Sequence, residues 1–333
     1  TYQANVTLLG DTVLEGNAAS FANGVIGGGN DLTLNFAATT ALDGSFANLA
    51  NLTSVGDVTV NGTIETTVDQ TYQANVTLLG DTTLAGNAAS FANGVIGGGN
   101  DLTLNFAATT ALDGSFANLA NLTSVGDVSV KRTIATTVDQ TYQANVTLLG
   151  DTTLAGNAAS FATGVIGDDN DLTLNFTSTT ALDGSFANLA NLTSLGDVAL
   201  NGSIQTNGSQ NYAANVSLAG DVNLTGTVGT FASGVTGNNN SLSFNFTGGT
   251  TSLAGLFTNI ATLTADSDVS VNGTVETNLD QFYNANVTLA GDSTLTGNAV
   301  SFASGVTGEA NSLTLNFTGT TAIDGGFAGI ANL

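Results

Sequence analysis

The chain has no cysteine, methionine, proline, tryptophan or histidine, and its only basic residues are the adjacent Lys131 and Arg132. Each absence excludes something. Without cysteine there is no disulfide framework and no thiolate metal site, and without either sulfur residue the usual oxidation chemistry has no target. Without histidine there is no Ser-His-Asp triad. Against two bases stand 26 acids, a formal net charge of −24. That charge excludes nucleic acid and anionic membrane surfaces as partners, because both are held by clustered Lys and Arg. No uninterrupted apolar run reaches the ~18 residues of a membrane span, so membrane insertion of this segment is not expected, and no leader-like segment opens the chain. The sequence reads as a segment cut in mid-pattern from a longer protein. A single basic pair offers trypsin-like proteases almost nothing to cut, which, together with the missing sulfur, points to a location outside the cell or on its surface.

What is present is repetition. The apolar fraction of 42% is enough to bury a core. Thr1-Tyr2-Gln3-Ala4-Asn5-Val6-Thr7-Leu8 returns from Thr71 and Thr141 and, diverged, from Asn211 and Phe282. The repeats are therefore residues 1–70, 71–140, 141–210, 211–281 and a truncated 282–333, expected to form one continuous solenoid. Within each copy an Asp, an alternating apolar segment, a polar turn and an aromatic recur three times, as in Asp81-Thr82-Thr83-Leu84, Asp101-Leu102-Thr103-Leu104 and Asp127-Val128-Ser129-Val130. The period-two alternation marks half-buried strands, and the Gly, Asn, Asp, Ser and Thr between them suit tight turns.

The aromatics that close these units run Tyr72, Phe91, Phe116, Tyr142 and onward at steps of 19, 25 and 26 residues, and 15 of the chain's five Tyr and 17 Phe belong to the series. Unequal turns of a stacked coil produce such steps. A coil stacks equivalent residues about 4.8 Å apart and favours one aromatic per turn, whereas a β-sandwich has no reason to keep one. The missing proline agrees, since every turn pairs with neighbours above and below. The expected fold is an all-β parallel β-helix (β-solenoid) with three rungs per 70-residue repeat and about 15 rungs.

Asp69-Gln70-Thr71-Tyr72-Gln73-Ala74-Asn75-Val76-Thr77-Leu78, Gly80-Asp81-Thr82-Thr83-Leu84-Ala85-Gly86 and Asn100-Asp101-Leu102-Thr103-Leu104-Asn105 resemble the β-strand repeats of large bacterial surface proteins of the filamentous haemagglutinin and autotransporter-adhesin type. The resemblance covers all five copies. It implies a right-handed parallel β-helix, export to the cell surface, and a stalk or adhesive-fibre role. No binding or catalytic residue is carried over.

The Asp that opens each rung is read as one column: Asp11, Asp31, Asp57, Asp81, Asp101, Asp127, Asp151, Asp171, Asp197 and onward. Stacked carboxylates repel unless something lies between them, and calcium, which takes carboxylate and carbonyl oxygens, is the one cofactor to consider. The reading placed ahead of calcium is that each Asp accepts hydrogen bonds from backbone N–H groups at a turn and is otherwise solvated. Gly167-Asp168-Asp169-Asn170-Asp171 is the densest acidic cluster and the best single place for an ion. A Thr-rich outward column (Thr33, Thr59, Thr83, Thr103, Ser129, Thr153, Thr173), interrupted by Val13, Ala199 and Asn223, is read as ordinary strand surface. An enzyme is not expected, because carboxylate pairs in a β-helix hydrolase form one unique cluster, whereas these acids recur in every rung. The residues themselves point to a structural module that assembles with itself, head to tail or laterally. The alternative is a module binding carbohydrate or a host surface through one face.

Overall fold

The computed structural model describes residues 1–333, and its fold is an all-β parallel β-solenoid of about 17 turns without a helix. The chain forms two compact units, Thr1–Val165 and Ile166–Leu333. In each unit, alternating residues of short strands pack Leu, Val, Ile and Phe side chains inward and turn Thr, Ser and Asn outward, as in Leu102–Phe106 and Leu242–Phe246. Each such buried side chain contributes roughly 1.5–3 kcal/mol relative to leaving it exposed.

Every turn is built from three straight segments, one on each wall, which either form separate strands or join through a corner into one, as in Val76–Gly86, and the pairing between turns is parallel throughout. Ladder partners one turn apart are separated by 17 residues (Leu49 to Thr66) to 22 (Phe231 to Leu253). The 19-residue aromatic step from Tyr72 to Phe91 is one such turn, but the steps of 25 and 26 are longer than any turn, so the chain makes more turns than the 15 expected. Gly94 marks a place where two turns come too close for a side chain: its φ is +96°, and a Cβ there would stand 2.0 Å from the Ser115 carbonyl oxygen.

In the first unit the 70-residue repeat does not match a whole number of turns. Four turns lead from Tyr72 through Phe91, Leu112 and Val130 to Leu148. Leu148 lies in Val146–Leu148, the strand immediately after Asp139–Tyr142. Seventy residues are therefore four turns less one wall, or three and two-thirds turns. Tyr72 accordingly occupies one wall, Tyr142 a second (above Leu84, Leu104 and Ser124), and Tyr2 the third (below Phe21, Leu42, Val60 and Leu78). The second unit turns in the same way, with Tyr212 and Tyr283 on different walls.

One consequence corrects the expected aromatic ladder. The rings do not form one column; they form clusters inside the core. Tyr72 stacks on Phe91 at 5.0 Å and 9°, and Phe116, on a different wall, meets Phe91 edge-on at 5.5 Å and 76°. Tyr2, Phe21 and Phe46 repeat the arrangement, as do Tyr283, Phe302 and Phe327. Offset and edge-on pairs of this kind are worth about 0.5–1.5 kcal/mol beyond their burial.

Candidate functional site

Where the walls meet, the chain turns on Asp, Asn and Gly, and the predicted site residues all lie at these corners. The expected single Asp column is divided among them. Asp11 and Asp31 do stack: the Asp31 N–H donates to Asp11 Oδ1 at 3.0 Å, and Asp101 and Asp81 do the same at 3.0 Å. One turn further on, an asparagine follows. Asp31 Oδ1 accepts from the backbone N–H and the side-chain Nδ2 of Asn51 at 3.1 and 2.8 Å. Asn51 Oδ1 then accepts from the Asp69 N–H at 3.1 Å, and Asp69 from Asn87 Nδ2 at 3.0 Å. Asp101, Asn121, Asp139 and Asn157 repeat the series.

Asp57, Asp127 and Asp197 each stand at another corner of their own copy, under Asn75, Asn145 and Asn215, each accepting at 2.9–3.3 Å from backbone and side-chain nitrogens. The neutral amide between successive carboxylates is what a column of like charge lacks, and it donates where a second Asp could not. Asp151 is exposed beside Thr152–Gly156, and Asp171 accepts from Asn191 Nδ2 at 2.8 Å. In the acidic loop, Asp168 and Asp169 take left-handed φ values of 48° and 61°, where copy one has Gly28 and Gly29 at 63° and 79°. Short polar side chains tolerate that region. Asn170 Nδ2 closes the loop onto the carbonyls of Gly167 and Asp168 at 3.0 Å, and Asp169 accepts from Asn207 Nδ2. No three carboxylates converge anywhere in the chain.

The outward hydroxyls are also sorted differently from the sequence reading. Thr63, Thr83, Thr103, Thr123 and Thr141 stack on one wall of the first unit without interruption, between Ser45 and Ser160. Thr59 and Ser129, expected in the same column as Thr83, lie on the other two walls. A surface hollow is bordered by Asp266 and Asp268, and both are engaged: Asp266 by Asn284 Nδ2 at 2.7 Å, Asp268 by Asn286 N and Nδ2 at 2.9 and 3.2 Å.

One recurrent group has no counterpart in the sequence reading. Gln70, Gln140, Gln210 and Gln281 are fully buried. Gln140 Nε2 donates to the carbonyls of Ile134 and Ala155 at 3.1 and 2.8 Å, and its Oε1 accepts from the Tyr142 hydroxyl at 2.9 Å. The same bonds form around Gln70, Gln210 and Gln281. The signal was available: in Asp139-Gln140-Thr141-Tyr142, period-two alternation puts the glutamine on the same side as the inward tyrosine. Burial without charge pushes the phenol pKa of Tyr72, Tyr142, Tyr212 and Tyr283 well above its ordinary value.

No protein-family model, curated protein or solved structure matches the chain. The surface of the chain is acidic at the corners and hydroxyl-covered on the walls.

Proposed function

We propose that the chain is a structural module of an extracellular fibre or stalk, of the kind its motif strings resemble in bacterial filamentous haemagglutinins and autotransporter adhesins. The observation that carries this reading is that the recurring corner polar groups, Asp31 with Asn51 and Asp101 with Asn121 above all, are occupied in joining one turn to the next. A repeat whose conspicuous acids serve cohesion suits a role in which persistence matters more than recognition. Self-association, head to tail or sideways, is the expected form of assembly, and calcium at the acidic corners is an optional reinforcement.

Electron microscopy of native material, with antibody raised against this chain, tests the reading. Labelled stalks or filaments projecting from cells are the expected result. Labelling confined to the cell interior rejects it.

A second reading, a module that binds carbohydrate, is favoured by one residue. Phe282 is 39% exposed and takes the place held by Thr71 and Thr141 in earlier copies, stacked between Thr264 and Ser301. Aromatic faces of this kind pair with sugar rings, so glycan-array binding that disappears in Phe282→Thr would establish it.

A further inference from the structure

Arg132 stands where three other copies have a glycine in the left-handed region: Gly62 at φ 119°, Gly202 at 102° and Gly273 at 124°. A Cβ on those glycines would lie 2.8, 2.7 and 2.5 Å from the carbonyl oxygens of Gly44, Gly184 and Gly255 in the turn below. An arginine cannot take that conformation at that distance. The surrounding strands change accordingly. Val58–Thr66, Val198–Thr206 and Val269–Thr277 run unbroken through the corner, whereas copy two is split into Val128–Val130 and Ile134–Thr136.

The turn below is split too, into Thr110–Leu112 and Ser115–Leu119, where copy one has the single strand Thr40–Leu49. The pairs Asp43 with Asn61, Gly44 with Gly62 and Ser45 with Thr63 have no counterpart in copy two; there the ladder stops at Leu112 with Val130 and resumes at Phe116 with Ile134. Lys131, Arg132 and Thr133 are all exposed, and Arg132 borders a shallow hollow with Asn93, Gly114 and Ser115. The only two basic side chains of the protein thus coincide with an interruption in its ladder.

We propose that Lys131-Arg132 is a single processing site for an endoprotease directed to basic residues, cut while the solenoid stays folded. Such an enzyme takes a guanidinium or ammonium into an acidic specificity pocket. Opening the bend disturbs few ladder bonds, so the cut follows local opening and does not need global unfolding. Water adds across the Arg132–Thr133 peptide bond: hydroxide goes to the Arg132 carbonyl carbon, the proton to the Thr133 nitrogen, leaving a carboxylate and an ammonium. The two pieces remain joined, because strands from either side of the cut pair with each other: Leu122–Ser124 with Gln140–Tyr142, and Val128–Val130 with Val146–Leu148.

Trypsin acting on the full chain is the probe, in native buffer and in urea concentrations that unfold the substrate but leave the enzyme active. Native digestion is expected to give two products, one ending at Lys131 or Arg132 and the other beginning at the next residue by intact mass, that co-elute on gel filtration with unchanged far-UV circular dichroism. A folded chain that stays whole while the unfolded chain is cut overturns the proposal. So does separation of the products without denaturant. Arg132→Gly keeps Lys131 as a cleavable residue and restores the glycine. Its native cleavage, normalised to cleavage of the same variant unfolded, is expected to slow at least about tenfold relative to the parent; an unchanged normalised rate rejects the interrupted ladder as the cause.

Discussion

Single residues at the corners decide how one turn is held to the next. Asn121 donates to Asp101 below and accepts from the Asp139 backbone above. Asn121→Asp removes the donor and places four carboxylates in succession, at positions 81, 101, 121 and 139, so it should destabilise the chain by about 1–3 kcal/mol. The loss should be partly recovered in high salt, which thermal melts at low and high ionic strength would read. Inside, Gln140→Leu leaves the Tyr142 hydroxyl without its acceptor and removes a donor from the Ile134 and Ala155 carbonyls, again at about 1–3 kcal/mol for a buried group left without a bond. A denaturation midpoint within error of the parent would show that the buried amide does not stabilise. The four buried tyrosines give a pH signature. Their phenol pKa is raised in the folded state, so the stability they contribute is complete below the unfolded value of about 10 and is lost as pH rises above it. Tyrosinate absorbance from these four should therefore appear together with the loss of far-UV signal above about pH 10.

At the scale of strands and corners, alternation was legible from sequence and stacking order was not. Leu102, Leu104 and Phe106 point inward as their spacing implies. The error lay in the assumed length of a turn. Taking the aromatics as one per turn put Asp57 above Asp31, whereas the ladder puts Asn51 there. Which residue follows which one turn later depends on corner lengths that vary by a residue or two, and local sequence carries no mark of them. Glycines at close approaches were equally hidden. Gly94→Ala should cost more than about 3 kcal/mol, since the added methyl meets the Ser115 carbonyl and the φ is unfavourable. Gly29→Ala, which has open space but a φ of +79°, should cost only about 1–2 kcal/mol. Melting temperatures of the pair separate contact from strain.

For the molecule as a whole, the 70-residue repeat and the three-walled turn are out of step. Copies of one sequence place the same residue on successive walls, as Tyr2, Tyr72 and Tyr142 do, so each kind of corner and surface residue is distributed around all three walls. The offset also sets which shortenings are tolerated. Deleting residues 71–140 joins Gln70 to Thr141, the same pair that Gln140 and Thr141 make, and every later strand moves by one wall together with its neighbours. Such a variant should keep its spectrum and melt within about 5 °C of the parent. Deleting 71–93, one rung as the aromatic spacing would have it, should unfold or strongly destabilise the chain, because it cuts through Asp69–Tyr72 and removes its pairing partner Ala88–Phe91. Circular dichroism melts of the two deletions test the turn length directly.

The sequence by itself determined the class of structure: period-two alternation, absent proline and a 70-residue repeat admit a parallel solenoid and little else. Composition set the surface chemistry, because 26 acids and two bases leave only one sign of charge to arrange. Only the tertiary structure decided which residues meet. Stacking partners lie 17 to 22 residues apart, and the choice among those separations is made by backbone ladders that all must close together. Asp31 therefore rests beneath Asn51, Gln140 sits between two turns, and Arg132 falls where the ladder is interrupted.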